Sequence, residues 1–118
     1  MKLISEADFD RQVLQASVPV VVHFSAPWCG LCRLIEPLLA RLQEQYPTQV
    51  QVIGVNADES LSLSSRYRLR MLPTLLVVQN GRVEYRLESF QSREQLSHQL
   101  HQAVQAVLTA PPVASSVG

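Results

Sequence analysis

Two cysteines occur in the 118 residues, three positions apart as Cys29 and Cys32. That is far too few for a disulfide scaffold and suits a local reactive pair. If Cys29 lies in the first turn of a helix, unsatisfied N–H groups and the macrodipole favour negative charge there. Its thiol is then expected to ionise more readily than a free cysteine and to act as the nucleophile. Cys32 falls one turn further along, close enough to attack a mixed disulfide at Cys29 and release a reduced product. It is the expected resolving thiol and the more buried of the two. Half of a zinc knuckle is the competing reading, but a structural zinc needs four ligands, and only His23, His98 and His101 are left to supply the rest. No metal site within the chain is expected, and the exchange needs no bound cofactor.

Such a pair has to be held by a strand feeding a helix. Val18 to Ser25 is a β-branched run without polar alternation, as in a central strand covered on both faces, with Pro19 at its entrance. After Ala26-Pro27-Trp28, the segment Cys29 to Tyr46 carries Leu34, Ile35, Leu38, Leu39, Leu42 and Tyr46 as one helical face, which Pro37 is expected to kink. Upstream, a brief strand and a short helix over Glu6 to Gln15 are predicted. Downstream, Gln51 to Val55 reads as a strand and Glu59 to Tyr67 as a helix capped by Asp58. This alternation implies parallel pairing. Leu75 to Val78 is a further strand, and Asn80-Gly81 turns it back antiparallel into Arg82 to Leu87. Ser92 caps a final helix whose apolar face is Leu96, Leu100, Ala103, Val104 and Val107, leaving His98, Gln102 and Gln105 outside. One domain over residues 1–108 is expected, with a disordered tail from Thr109 to Gly118.

Ten Lys and Arg balance ten Asp and Glu, so the electrostatic footprint of a nucleic-acid or membrane-surface binder is missing. No apolar run approaches the roughly 20 residues of a membrane span, and no signal-like segment is read at the start. A monomer in the cytoplasm is the expectation. From Ser60 onward six basic residues face three acidic ones, Arg66, Arg68 and Arg70 among them. They form either a solvated face or one that steers an acidic partner.

Trp28-Cys29-Gly30-Leu31-Cys32 after a valine-rich strand, with Leu72-Pro73-Thr74 some forty residues on, resembles the thioredoxin family from about Leu3 to Leu108. The resemblance implies an α/β fold, a central mixed sheet flanked by helices in the order βαβαβαββα. It implies a protein thiol–disulfide oxidoreductase serving cell redox homeostasis and electron transport. Its partners would be disulfide-containing proteins and a thioredoxin reductase or other dithiol donor. It further implies that Pro73 is cis and faces the cysteines, that backbone at Leu72 pairs with an extended substrate segment, and that Trp28, Gly30, Leu31 and Ser89 border the same groove.

The chain departs from the family at several of these positions. Leu31 replaces the usual proline, so a reduction potential less negative than that of the proline form is expected. His23 stands where a buried aspartate is usual, and Gly54 where its lysine companion would be. His23 is therefore either a core histidine with a satisfied hydrogen bond, or a proton acceptor for Cys32 when neutral and a stabiliser of thiolates when charged. Ser89 replaces a glycine, so its Cβ is expected to narrow the groove. Two alternatives stand beside a reductant: a binding module with incidental cysteines, and a more oxidising oxidase or isomerase.

Overall fold

The computed structural model describes residues 1–109. Its sheet has five strands in the order β1-β3-β2-β4-β5: β1 (Lys2–Ile4), β2 (Val20–Ser25), β3 (Gln51–Asn56), β4 (Thr74–Gln79) and β5 (Arg82–Leu87). β3 is parallel to both β1 and β2, whereas β4 is antiparallel to β2 and β5. Paired on both sides, β2 has every residue from Val20 to Phe24 buried, which accounts for its uninterrupted apolar run. At the hairpin, Asn80 (φ 54°) and Gly81 (φ 76°) both take left-handed backbone, as a turn matched to strand twist requires.

Strand alternation sorts the core into two layers. Val21, Val52, Leu75 and Val77 face α1 (Gly30–Gln45) and α3 (Arg93–Thr109), packing on Ile35, Leu39, Leu42, Leu96 and Leu100. On the other face Val22, Phe24, Ile53, Val55 and Leu76 meet Phe9, Val13 and, from α2 (Leu61–Arg66), Leu63. Each such side chain, once removed from water, contributes roughly 1.5–3 kcal/mol against chain entropy. The cysteines lie where the chain leaves the C-terminal end of β2 for α1.

Four local expectations change. Residues Glu6–Asp8 form a 3-10 turn and Asp10–Leu14 a π-helical stretch instead of one α-helix. Of this segment Phe9 and Val13 are buried in the core and Leu14 packs partly buried against it, and so short a stretch does not hold a regular helix by propensity alone. Leu34 is 57% exposed, one residue round from the buried Ile35 face of α1. α2 begins at Leu61 after Ser60, and Asp58 does not cap it. α3 includes Thr109, which the predicted tail had claimed, while the rest of that tail lies outside the described residues. Ser92 does cap α3, its Oγ accepting from the Gln95 N–H at 3.0 Å.

Candidate active site

Cys29 sits one position earlier than the sequence reading, at the N-cap of α1 and not within its first turn. Its Sγ accepts a hydrogen bond from the backbone N–H of Cys32 at 3.1 Å. A sulfur in this position meets the helix donors end-on, the local geometry that favours negative charge on it. The two cysteines are joined as a disulfide with Cα atoms 5.3 Å apart. Cys29 is 5% exposed and Cys32 1%, the order expected for an attacking and a resolving thiol. No cluster of His, Cys, Asp and Glu able to hold a metal occurs among the described residues.

Around the pair, Trp28 (67% exposed) and Leu31 (44%) present apolar surface, and a Cβ on Gly30 would meet open space. The indole Nε1 of Trp28 donates to Asp58 Oδ2 at 2.7 Å. Asp58 was read from sequence as a helix cap, yet Ser25 pairs with Asn56, so residues 28 and 58 leave neighbouring strand ends and converge. That strand adjacency is the signal that could have found the contact. Asn56 Oδ1 holds the turn, accepting from the N–H groups of Asp58 and Glu59 at 2.9 and 3.2 Å. Because Trp28 is the sole tryptophan, its emission reports this bond. Asp58→Ala is expected to shift the spectrum while costing at most about 1 kcal/mol, since the pair is exposed, whereas Asp58→Asn keeps an acceptor and the native spectrum. Identical emission from Asp58→Ala and the parent would show that the bond does not hold the ring.

The Leu72–Pro73 peptide is cis, as the resemblance implied, and Pro73 is buried. The segment before it is tied down from β5: Arg86 donates to the carbonyls of Tyr67 and Arg68 at the end of α2, the latter at 2.9 Å. Glu88 accepts from Arg70 at 2.9 Å and from Arg86 at 3.3 Å, and the Arg70 guanidinium holds its carboxyl below the usual range. Arg66 pairs with Asp10 at 3.0 Å. Two of the three arginines thought able to steer an acidic partner are thus engaged within the chain.

Ser89 adopts φ 62°, the left-handed region that favours glycine, and its Oγ donates to the Sδ of Met71 at 3.1 Å. Side chains from both sides therefore meet beside Leu72-Pro73, a contact with no signal in the sequence. Ser89→Gly removes a backbone cost of roughly 1 kcal/mol against a weak bond to sulfur. A melting temperature about 4 °C higher is expected; an unchanged or lower one would show that the bond outweighs the strain.

His23 is fully buried beside Leu75 of β4 and Gly54 of β3, on the α1 and α3 face of the sheet. Neither ring nitrogen has a hydrogen-bond partner among the described residues, so the satisfied core histidine is not what the structure shows. Burial pushes its pKa down to about 4. With the disulfide formed, the ring is therefore neutral at physiological pH, and no hydrogen bond joins it to Cys32. At Gly54 a Cβ would come within 2.8 Å of Leu3 Cδ2 and 3.3 Å of Met1 Sδ, so N-terminal side chains occupy the space a larger residue there would need.

A disulfide-forming Cys-x-x-Cys at the N-cap of the helix that follows β2, in a mixed five-stranded sheet whose β4 is entered through a cis-proline, defines a thiol–disulfide oxidoreductase. The chain matches the thioredoxin family over residues 1–102, and it belongs to that family. It is 44% identical over 78 residues to Thioredoxin 1 of Synechococcus elongatus and 40% identical over 78 residues to Thioredoxin of Synechocystis. Each alignment covers 66% of this chain and 73% of the relative. Thioredoxin of Haemophilus influenzae is 35% identical over 80 residues, covering 68% of this chain and 75% of its own. The chain is a protein-disulfide oxidoreductase, acting on disulfide substrates with a reductase partner in the general manner of the family. No helix among the described residues is long and apolar enough to cross a membrane.

Proposed function

We propose that the chain runs the reductive direction of the exchange, with Cys29 attacking and Cys32 resolving. The Cys29 thiolate attacks one sulfur of a partner disulfide, forming a mixed disulfide and expelling the first partner thiol. Cys32 then attacks Cys29 Sγ, expelling the second. Two electrons pass to the partner, and the Cys29–Cys32 disulfide remains for a thioredoxin reductase or another dithiol donor to reduce. The observation that carries the division of roles is the Cys29 Sγ at the N-cap with the Cys32 N–H aimed at it, and the reductive direction is supported by the family to which the chain belongs. Trp28, Gly30, Leu31, Leu72, Pro73 and Ser89 border the partner segment, and neutral His23 is the candidate acceptor for the Cys32 proton. A monomer working in the cytoplasm as one step of electron transport fits a cysteine content confined to this pair.

Direction is a matter of redox poise. Equilibration with glutathione buffers, read by alkylation gel shift, is expected to place the couple above the roughly −270 mV reference value of proline-type thioredoxins, because Leu31 replaces the proline, and below about −180 mV. A value above about −180 mV would favour the oxidase or isomerase reading. One at or below about −270 mV would remove the effect assigned to Leu31.

A further inference from the structure

Beside the cysteines, the loop between β5 and α3 meets the first turns of α1. Leu31, Ile35, Phe90 and Leu96 enclose a pocket of about 200 Å³ with Arg93 at its rim. Its floor is apolar and buried: Ile35 is 1% and Leu96 0% exposed, and Phe90 packs on the same core layer. Leu31 forms the wall nearest the sulfurs and is left 44% exposed, a surface with an energetic reason to be covered. Two of the nearby polar groups are already spent on the α3 cap, the Ser92 Oγ on Gln95 N–H and the Gln91 N–H on Gln95 Oε1.

We propose that this pocket is a specificity site for the exchange reaction, receiving one aliphatic side chain of a disulfide-bearing polypeptide close to its attacked cysteine, with Phe90 setting the preference. The occupant follows from continuity with the cysteine pair. A partner cysteine bonded to Cys29 carries its neighbours outward by about 3.3 Å per residue, so residues two or three positions away pass Leu31. An aliphatic side chain there leaves water for an apolar floor of Ile35 and Leu96, whereas a hydroxyl would give up hydration against that floor for no such gain.

The inference rests on Cys29 as the attacking thiol, and the test separates the two ideas. Peptide dimers joined by a single disulfide are reduced by the full-length dithiol protein, with leucine or serine placed two residues before or two residues after each cysteine. On at least one side the leucine dimer is expected to react about tenfold faster than its serine counterpart. Phe90→Ser should bring that ratio below about two, and Phe90→Leu should keep most of it. Equal rates for leucine and serine dimers in the parent protein, a measurement that needs no variant, would overturn the pocket assignment alone. So would a ratio that Phe90→Ser leaves unchanged. Failure to reduce any dimer would overturn the exchange reading and the pocket with it.

Discussion

Cys32→Ser is expected to accumulate a covalent adduct with partner proteins, whereas Cys29→Ser accumulates none and loses turnover to background. The asymmetry follows from position. Cys29 Sγ stands at the helix N-cap facing the Cys32 N–H at 3.1 Å, and Cys32 is almost wholly buried at 1% exposure. An incoming disulfide therefore meets Cys29 first. With Cys32 removed, nothing one turn away resolves the mixed disulfide, and the adduct survives until an external thiol arrives. Non-reducing electrophoresis after mixing each reduced variant with an oxidised partner reads the outcome. Adducts formed equally by both variants would mean that the two thiols are interchangeable, contrary to their burial.

The second large effect is a pH dependence of stability carried by His23. An unfolded chain binds a proton at this ring below about pH 6.5, while the folded protein, with the pKa lowered to about 4 by burial, does not until that lower value. Between those limits the unfolded state holds the extra proton. The stability His23 allows is thus complete above about 6.5 and is lost as pH falls to about 4, where it levels off. The span corresponds to about 3 kcal/mol. His23→Leu should erase this arm and, by removing two buried nitrogens without partners, stabilise the fold by about 1 kcal/mol even at pH 7. Urea midpoints for both proteins at pH 7, 5 and 4 test it through their difference, since acidic groups such as Glu88 titrate alike in each. Curves that stay parallel would show that His23 is not the protonating group. If His23 also takes the Cys32 proton, the same variant slows disulfide exchange between pH 6 and 9, and an unchanged rate would leave the ring a purely structural part.

Elements with a strong repeating apolar arrangement were legible from sequence. β2 showed itself as an unbroken β-branched run because two neighbours bury it, and α3 through five apolar residues that all prove buried. The Asn80-Gly81 hairpin and the cysteine pair were equally readable, since each depends on residues adjacent in the chain. What escaped depends on contacts between distant segments. Asp58 looks like a cap until strand pairing brings it to Trp28, and Met71 and Ser89 meet only after β5 has folded back. The arginines before Pro73 resemble a free basic face until Glu88 and Asp10 engage two of them. His23 is the instructive case: its position was readable from the family resemblance, but the absence of any partner for its nitrogens is a property of three strands packed together.

Reduction of insulin disulfides under dithiothreitol, followed by turbidity and compared with Cys29→Ser, tests the catalytic claim most directly. Catalysed precipitation well ahead of the uncatalysed reaction is predicted for the parent protein and background for the variant. Equal lag times for the two would contradict the assignment and leave a thioredoxin-fold binding surface in its place.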